Sequence, residues 1–432
     1  MNSIEKNGIR TTVVINMIMT IIYCVVFLTP FLARNISMFT QLGLMVIWFL
    51  SAIICGINSK IYRDKNVLWW LIYILLMFIS TIIGHSAISI NYHMAHLPIY
   101  IIPFIGIFIL NKYNNKEISI LIRIVIFIIF VNLLDNIYLG VVNPELFDED
   151  MVLDGTREIV EKTTNAANTD MVSILTLLVP LCYIINKYSK SKNTKFFSLL
   201  MIISGIYYVV LINSRATALI VVLLTVAGFF LVETEPRNPL KCRRHYIWWS
   251  IASVVFIFVV AIPLMNFFIE NLSGRNAERI TDILTVTQGE DITMLNGSLS
   301  QRFLLDMASL NTFTSSIPNF LIGVGDDGGD VDLYSLIKSG VGQHSEIFDI
   351  LARFGIVGGF IMFQIFKNLF ENIRKRNLLH GKSDRFLTVI FCVFIFYNIV
   401  NRSLAIPMSL IVLYLFTPGV IQLLSYKKIN NE

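Results

Sequence analysis

The amino-acid sequence predicts an all-α polytopic membrane protein, with about 12 transmembrane helices and a helical cap on the outer face. Three observations carry that expectation. The first is composition: 55% of the 432 residues are hydrophobic and only 15% are charged, with a mean hydropathy of +0.70. A soluble domain is roughly 25% charged. The second is a series of apolar runs near the roughly 20 residues that cross about 30 Å of hydrocarbon. The third is the density of basic residues between those runs, which alternates as the positive-inside rule requires.

The runs fall at 11–32, 36–57, 66–84, 97–111, 118–140, 169–186, 196–212, 216–232, 246–269, 353–370, 386–400 and 404–425. The first lacks a small-residue cleavage motif and is expected to be a retained span. The fourth and eleventh are short, and read either as tilted spans or as re-entrant pieces. With Lys6 and Arg10 placed in the cytoplasm, the same side receives Lys60, Arg63, Lys65, Lys112, Lys116, Lys187, Lys190, Lys192 and Lys195. It also receives Arg237, Lys241, Arg243, Arg244, Arg374, Lys375, Arg376, Lys382, Arg385, Lys427 and Lys428. That side holds 22 basic residues against 9 on the other. The asymmetry predicts a multi-pass plasma (inner) membrane protein with both termini cytoplasmic. The net charge of +5 belongs to these anchors, so nucleic acid is not an expected partner.

Two outer loops are too long to be connectors. Loop 141–168 is acidic, with Glu145, Asp148, Glu149, Asp150 and Asp154. Loop 270–343 is larger, and the spacing of Phe303, Leu304, Met307 and Leu310 predicts a helix within it. The chain therefore divides into an N-terminal transmembrane bundle (1–269), a large extracytoplasmic loop (270–343) and three C-terminal spans (344–432). Cys24, Cys55, Cys182, Cys242 and Cys392 show no metal-ligand spacing and read as small buried hydrophobes. His85, His93 and His96 share one short outer loop and read as solvated surface residues ahead of metal ligands. The DDGGDVD stretch (326–332) lacks the spaced ligands and final Glu of an EF-hand. Neither metal nor cofactor is expected.

A few polar residues stand out against this background. Arg215, between two apolar runs, reads either as an interface Arg that snorkels or as an anion clamp. Arg302 has Asp306 four residues on, so a plain helical ion pair competes with a binding role. Arg402 stands between the last two runs, as Arg215 does between its own. On a wheel of about 100° per residue, Ile347, Ile350, Leu351 and Phe354 form an apolar arc. His344 joins that inward side if the helix extends back to it, either as a packing residue or as a reacting group. Ser345, Glu346, Asp349 and Arg353 share the other face, with Asp349 and Arg353 at ordinary ion-pair spacing.

The order of these residues carries a further signal. It runs SQRFLLDMASLNTF (300–313), NFLIGVGDDGG (319–329), then GQHSEIFDILARFGIVGGFIMF (342–363), with NSRATALIVVLLT (213–225) upstream. An Arg opens a short helix, a Pro-to-Gly-Val-Gly turn follows, and His-Ser leads to Gly355, Gly358 and Gly359. This resembles the signature region of the O-antigen ligase/polymerase superfamily, whose turn reads P-x-x-G-x-G. Here four residues separate Pro318 from Gly323. The resemblance implies a multispan fold similar to the C-class membrane glycosyltransferases. It implies a polymerase that joins undecaprenyl-diphosphate-linked oligosaccharides into O-antigen or capsular polysaccharide, with membrane lipid and a chain-length regulator as further partners. Arg215, Arg302 and Arg402 would then bind the diphosphate. His344 would act on the acceptor hydroxyl, with Glu346 as the second candidate. An O-antigen ligase is the alternative within the family. A transporter or flippase is the alternative outside it, against which stand the absence of matched broken spans and the asymmetric outer loop.

Overall fold

The computed structural model describes residues 11–56, 61, 63–82, 90–143, 164–166, 168–209, 216–234, 298–325, 340–379, 381–404 and 406–429. It is all-helical, with no strand among the described residues. The elements are α1 (Thr11–Leu28), α2 (Pro30–Asn35), α3 (Met38–Cys55), α4 (Lys65–Ile82), α5 (Ile90–Tyr100), α6 (Ile102–Lys112) and α7 (Asn115–Val142). After these come α8 (Asn168–Tyr188), α9 (Lys192–Tyr207), α10 (Ala216–Glu233), α11 (Ser298–Thr314) and α12 (Ile317–Ile322). The chain closes with α13 (Glu346–Arg376), α14 (Lys382–Val400), α15 (Pro407–Ile411), a π turn (Val412–Phe416) and α16 (Thr417–Ile429).

Six of these stretches are long and apolar enough to cross a membrane: α3, α4, α5 with α6, α7, Asp170–Tyr188, and Pro407–Tyr426. Their outer surface is apolar too. Leu68, Leu71, Leu75, Ile79 and Ile82 form one exposed row on α4, and Phe127, Val131, Leu134, Tyr138 and Val141 form another on α7. Rows of this kind suit hydrocarbon and not water. Both the length and the exposed face identify a membrane-embedded chain.

Local chemistry sets the boundaries. Asn114 caps α7 by accepting from the amides of Lys116 and Glu117, while Glu117 reaches back to the Asn114 amide at 2.8 Å. This reciprocal pair satisfies the first orphan donors of the helix. The π turn ahead of α16 precedes Pro418, which has no N–H and whose ring crowds the carbonyl four residues back. All five residues of that turn are buried, packed against an α6 that is itself buried from Ile102 to Leu110.

Several expectations change in the folded chain. The short fourth run is the second half of an Ile90–Lys112 helical stretch, broken only at Ile101. His93 and His96 therefore sit on α5 and not in a loop. His93 is buried, with Nε2 2.9 Å from Thr81 Oγ1, and His96 stacks on Tyr92. His85 lies outside the described residues, as do Cys242, the run at 246–269 and the DDGGDVD stretch. Cys24, Cys55 and Cys182 are buried, but Cys392 is exposed. The helix expected around 303–310 is present as α11, yet its buried residues are Leu305 and Ser309, while Leu304 is exposed.

The tenth run belongs to the longer α13, which is broken at Gly355 (φ 59°, ψ −156°). That left-handed backbone is open to glycine because it has no Cβ. The last carbonyls before the break, on Ala352 and Arg353, accept from the amides of Val324 and Gly325 at 2.9 and 2.8 Å. An unbroken helix would have given those carbonyls to its own next turn. The backbones come so close that a Cβ on Gly323 would run into Arg353, and one on Gly355 into Leu321. The Gly-Val-Gly turn thus caps the first arm of α13.

Candidate functional site

The site is built on that first arm, residues 346–354. Ser345 caps it by accepting from the Phe348 amide at 3.1 Å. His344 therefore precedes the cap, in a turn, and does not continue the helical face assumed from the wheel. The opposite face is the larger surprise. Ser345, Glu346, Asp349 and Arg353 are 0%, 5%, 1% and 7% exposed. The polar stripe that reads as a surface face in the sequence is turned into the protein.

What surrounds the stripe explains how it can be buried. One oxygen of Glu346, Oε2, accepts from the amides of Ser403 and Leu404 at 3.1 and 3.0 Å. The Glu346 amide donates to the Asn401 carbonyl at 3.2 Å. Ser345 Oγ and Ser403 Oγ both donate to buried Asn398, to its carbonyl and its side-chain oxygen respectively. The loop between α14 and α15, which carries Arg402, is thereby fastened to the start of α13. Charge-assisted bonds to backbone amides are among the stronger ones available.

Asp349 makes the second attachment. Its Oδ1 accepts from Ser309 Oγ at 2.7 Å and from the Gln343 amide at 3.1 Å. Ser309 Oγ in turn accepts from the Gly342 amide at 2.8 Å. Burial pushes the Asp349 carboxyl above its usual range. Arg353, Arg402 and the Ser309 hydrogen bond pull it back down, and Glu346 adds to the rise. Asp349 stands before Gly355, outside the apolar stretch that begins at Ile356.

Three of the five residues expected from the sequence are thus brought to one corner: His344 in the turn, Glu346 on α13 and Arg402 in the facing loop. His344 and Arg402 are half-buried. Arg302 lies on α11 two turns before Ser309, and its side chain is outside the description. Arg215 lies outside the described residues, immediately before α10. The residues that sequence reasoning passed over are Ser309, Asp349 and Arg353. Their signal was present in part: Ser345, Asp349 and Arg353 recur every four residues along a helix in a chain with few charges.

Beside the corner runs an apolar cavity of about 530 Å³ between α13 and α14. Ile347 and Leu351 line it on the first arm and Met362 and Phe391 farther along, with Lys367 the charged lining residue among those described. No group of three His, Cys, Asp or Glu side chains suited to a metal ion occurs among the described residues. Neither a protein-family model nor a curated protein matches this sequence.

Proposed function

We propose that this chain is a membrane glycosyltransferase that polymerises oligosaccharide units carried on undecaprenyl diphosphate, working at the outer face of a bacterial plasma membrane. The observation that carries the reading is the corner itself. A His-bearing turn and the buried acidic stripe that follows it meet an Arg-bearing loop more than fifty residues away, beside an apolar cavity. The about 12 spans and the cytoplasmic termini belong to the same proposal. The shared side of the loops between those spans is supported by their contacts: Arg376 donates to the Leu110 carbonyl and Asn111, and Glu233 pairs with both Lys187 and Lys382.

In the proposed reaction the acceptor hydroxyl attacks the anomeric carbon of the donor sugar as the bond to the diphosphate breaks. His344 receives the hydroxyl proton, and the leaving diphosphate carries the electron pair. A diphosphate needs no proton to depart, so cationic stabilisation of its developing charge supplies much of the catalysis. That is the role of Arg402 together with Arg215 and Arg302, whose planar guanidinium matches phosphate oxygens better than lysine does. Glu346, committed to two amides, is left the lesser candidate for the base. The apolar cavity would lodge part of the polyprenyl chain.

The test is transfer by purified protein in lipid nanodiscs, supplied only with an undecaprenyl-diphosphate oligosaccharide. A ladder of products with release of undecaprenyl diphosphate is the expected result. Products that appear only when a different acceptor is added would make the protein a ligase. No consumption of donor under either condition would overturn the reading.

A further inference from the structure

We propose that Asp349 is the positioning residue of this site: it fastens the turn that carries His344. The inference rests on the transferase reading above. Two successive amides of the turn, Gly342 and Gln343, are bound through Ser309 and Asp349, which themselves share a hydrogen bond. The turn is therefore held to α11 and α13 at once. Gln343 has φ 55°, and it is the one non-glycine residue with positive φ among those described. Such a backbone persists where its surroundings over-determine it. The hydrogen bond at Oδ1 does that directly, one residue before His344.

Packing alone does not account for an aspartate here. A carboxylate with 1% exposure is costly unless opposite charge and hydrogen bonds compensate it. Arg353 and Arg402 provide the charge. Oδ2 carries no hydrogen bond among the described residues, so electrostatic attraction from the arginines is its compensation. Arg353 comes from the same helix and Arg402 from the facing loop. The carboxylate thus acts on the turn that carries His344, through its hydrogen bonds at Oδ1.

The experiment uses full-length protein in nanodiscs, with Asp349→Asn, Asp349→Ala, Ser309→Ala and Ser309→Thr. Amide exchange across 340–346 should accelerate about tenfold or more in Asp349→Ala and Ser309→Ala, with exchange in α7 unchanged. Transfer by Asp349→Asn, which keeps shape and loses charge, should fall at least about tenfold in kcat. Ser309→Thr, which keeps the hydroxyl, should recover transfer that Ser309→Ala loses; simple packing predicts the reverse order, since alanine fits the buried site more easily. Wild-type exchange across 340–346 in both alanine variants would overturn the proposal, as would wild-type turnover in Asp349→Asn. If wild-type protein consumes no donor, the transferase reading falls, and the exchange measurement still decides whether Asp349 fastens the turn.

Discussion

Two buried polar networks in this chain look alike on a list of hydrogen bonds and differ in kind. The first joins α1, α3 and the end of α6. Asn16 donates to Ser51 Oγ at 2.8 Å and accepts from Tyr113 at 2.7 Å, while Trp48 donates to Thr20 at 2.9 Å. Thr20 and Ser51 donate to carbonyls of their own helices. Every group is neutral, and the helices that carry them are complete without them. The second network is the corner around Asp349 and Glu346. It is charged, and most of its donors are amides of turns. It also includes a non-glycine residue in the left-handed region. A neutral, closed network holds helices together in a medium that offers no other partners. A charged one that holds irregular backbone has the form of a site, because such backbone persists within a membrane protein only where it is buried or lines a cavity.

The contrast can be broken most sharply at His344. His344→Ala and His344→Gln should lose about 10²–10⁴-fold in transfer rate while membrane protein levels stay normal. Normal levels together with long polymer would remove His344 from the chemistry and direct attention to Glu346. Gly355→Ala tests whether the corner depends on the helix break. The positive-φ backbone alone costs about 1–3 kcal/mol for alanine, and the added Cβ meets the backbone of Leu321. A clear drop in the unfolding temperature in detergent is expected, and an unchanged one would show that the break is dispensable.

Glu346→Gln comes next in size. It keeps the shape but removes the charge from two amide bonds, each bond to a charged group being worth about 1.5–3 kcal/mol. Reduced stability with transfer lost in proportion is the structural outcome. Full stability with transfer abolished would instead make Glu346 the base. The smallest effect belongs to the neutral ladder: Ser51→Ala should cost about 0.6 kcal/mol and leave transfer untouched. A large loss of transfer there would erase the distinction between the two networks.

Which parts of this were legible in advance follows from what each depends on. Among the described residues the helices formed where apolar runs lay, because a lipid-facing backbone must satisfy its own hydrogen bonds. Val142 and Glu233 end their helices within a few residues of the expected run ends. Glycines at 323, 325 and 355 were visible as punctuation. That they face one another was not, since their pairing joins segments some thirty residues apart and depends on where two carbonyls point.

The sequence by itself determined the helical class and the membrane character, because these rest on local composition and on periods of a few residues. Only the tertiary structure decided which face of α13 is buried. By composition, Ser345, Glu346, Asp349 and Arg353 make a surface stripe, and the wheel assigns the interior to Ile350 and Phe354. The fold buries both faces. It can do so because the compensating groups arrive from elsewhere in the chain: the hydroxyl of Ser309, the amides of Gln343, Ser403 and Leu404, and the charge of Arg402. Burial of a charge is settled by its partners, and those partners are a property of the fold.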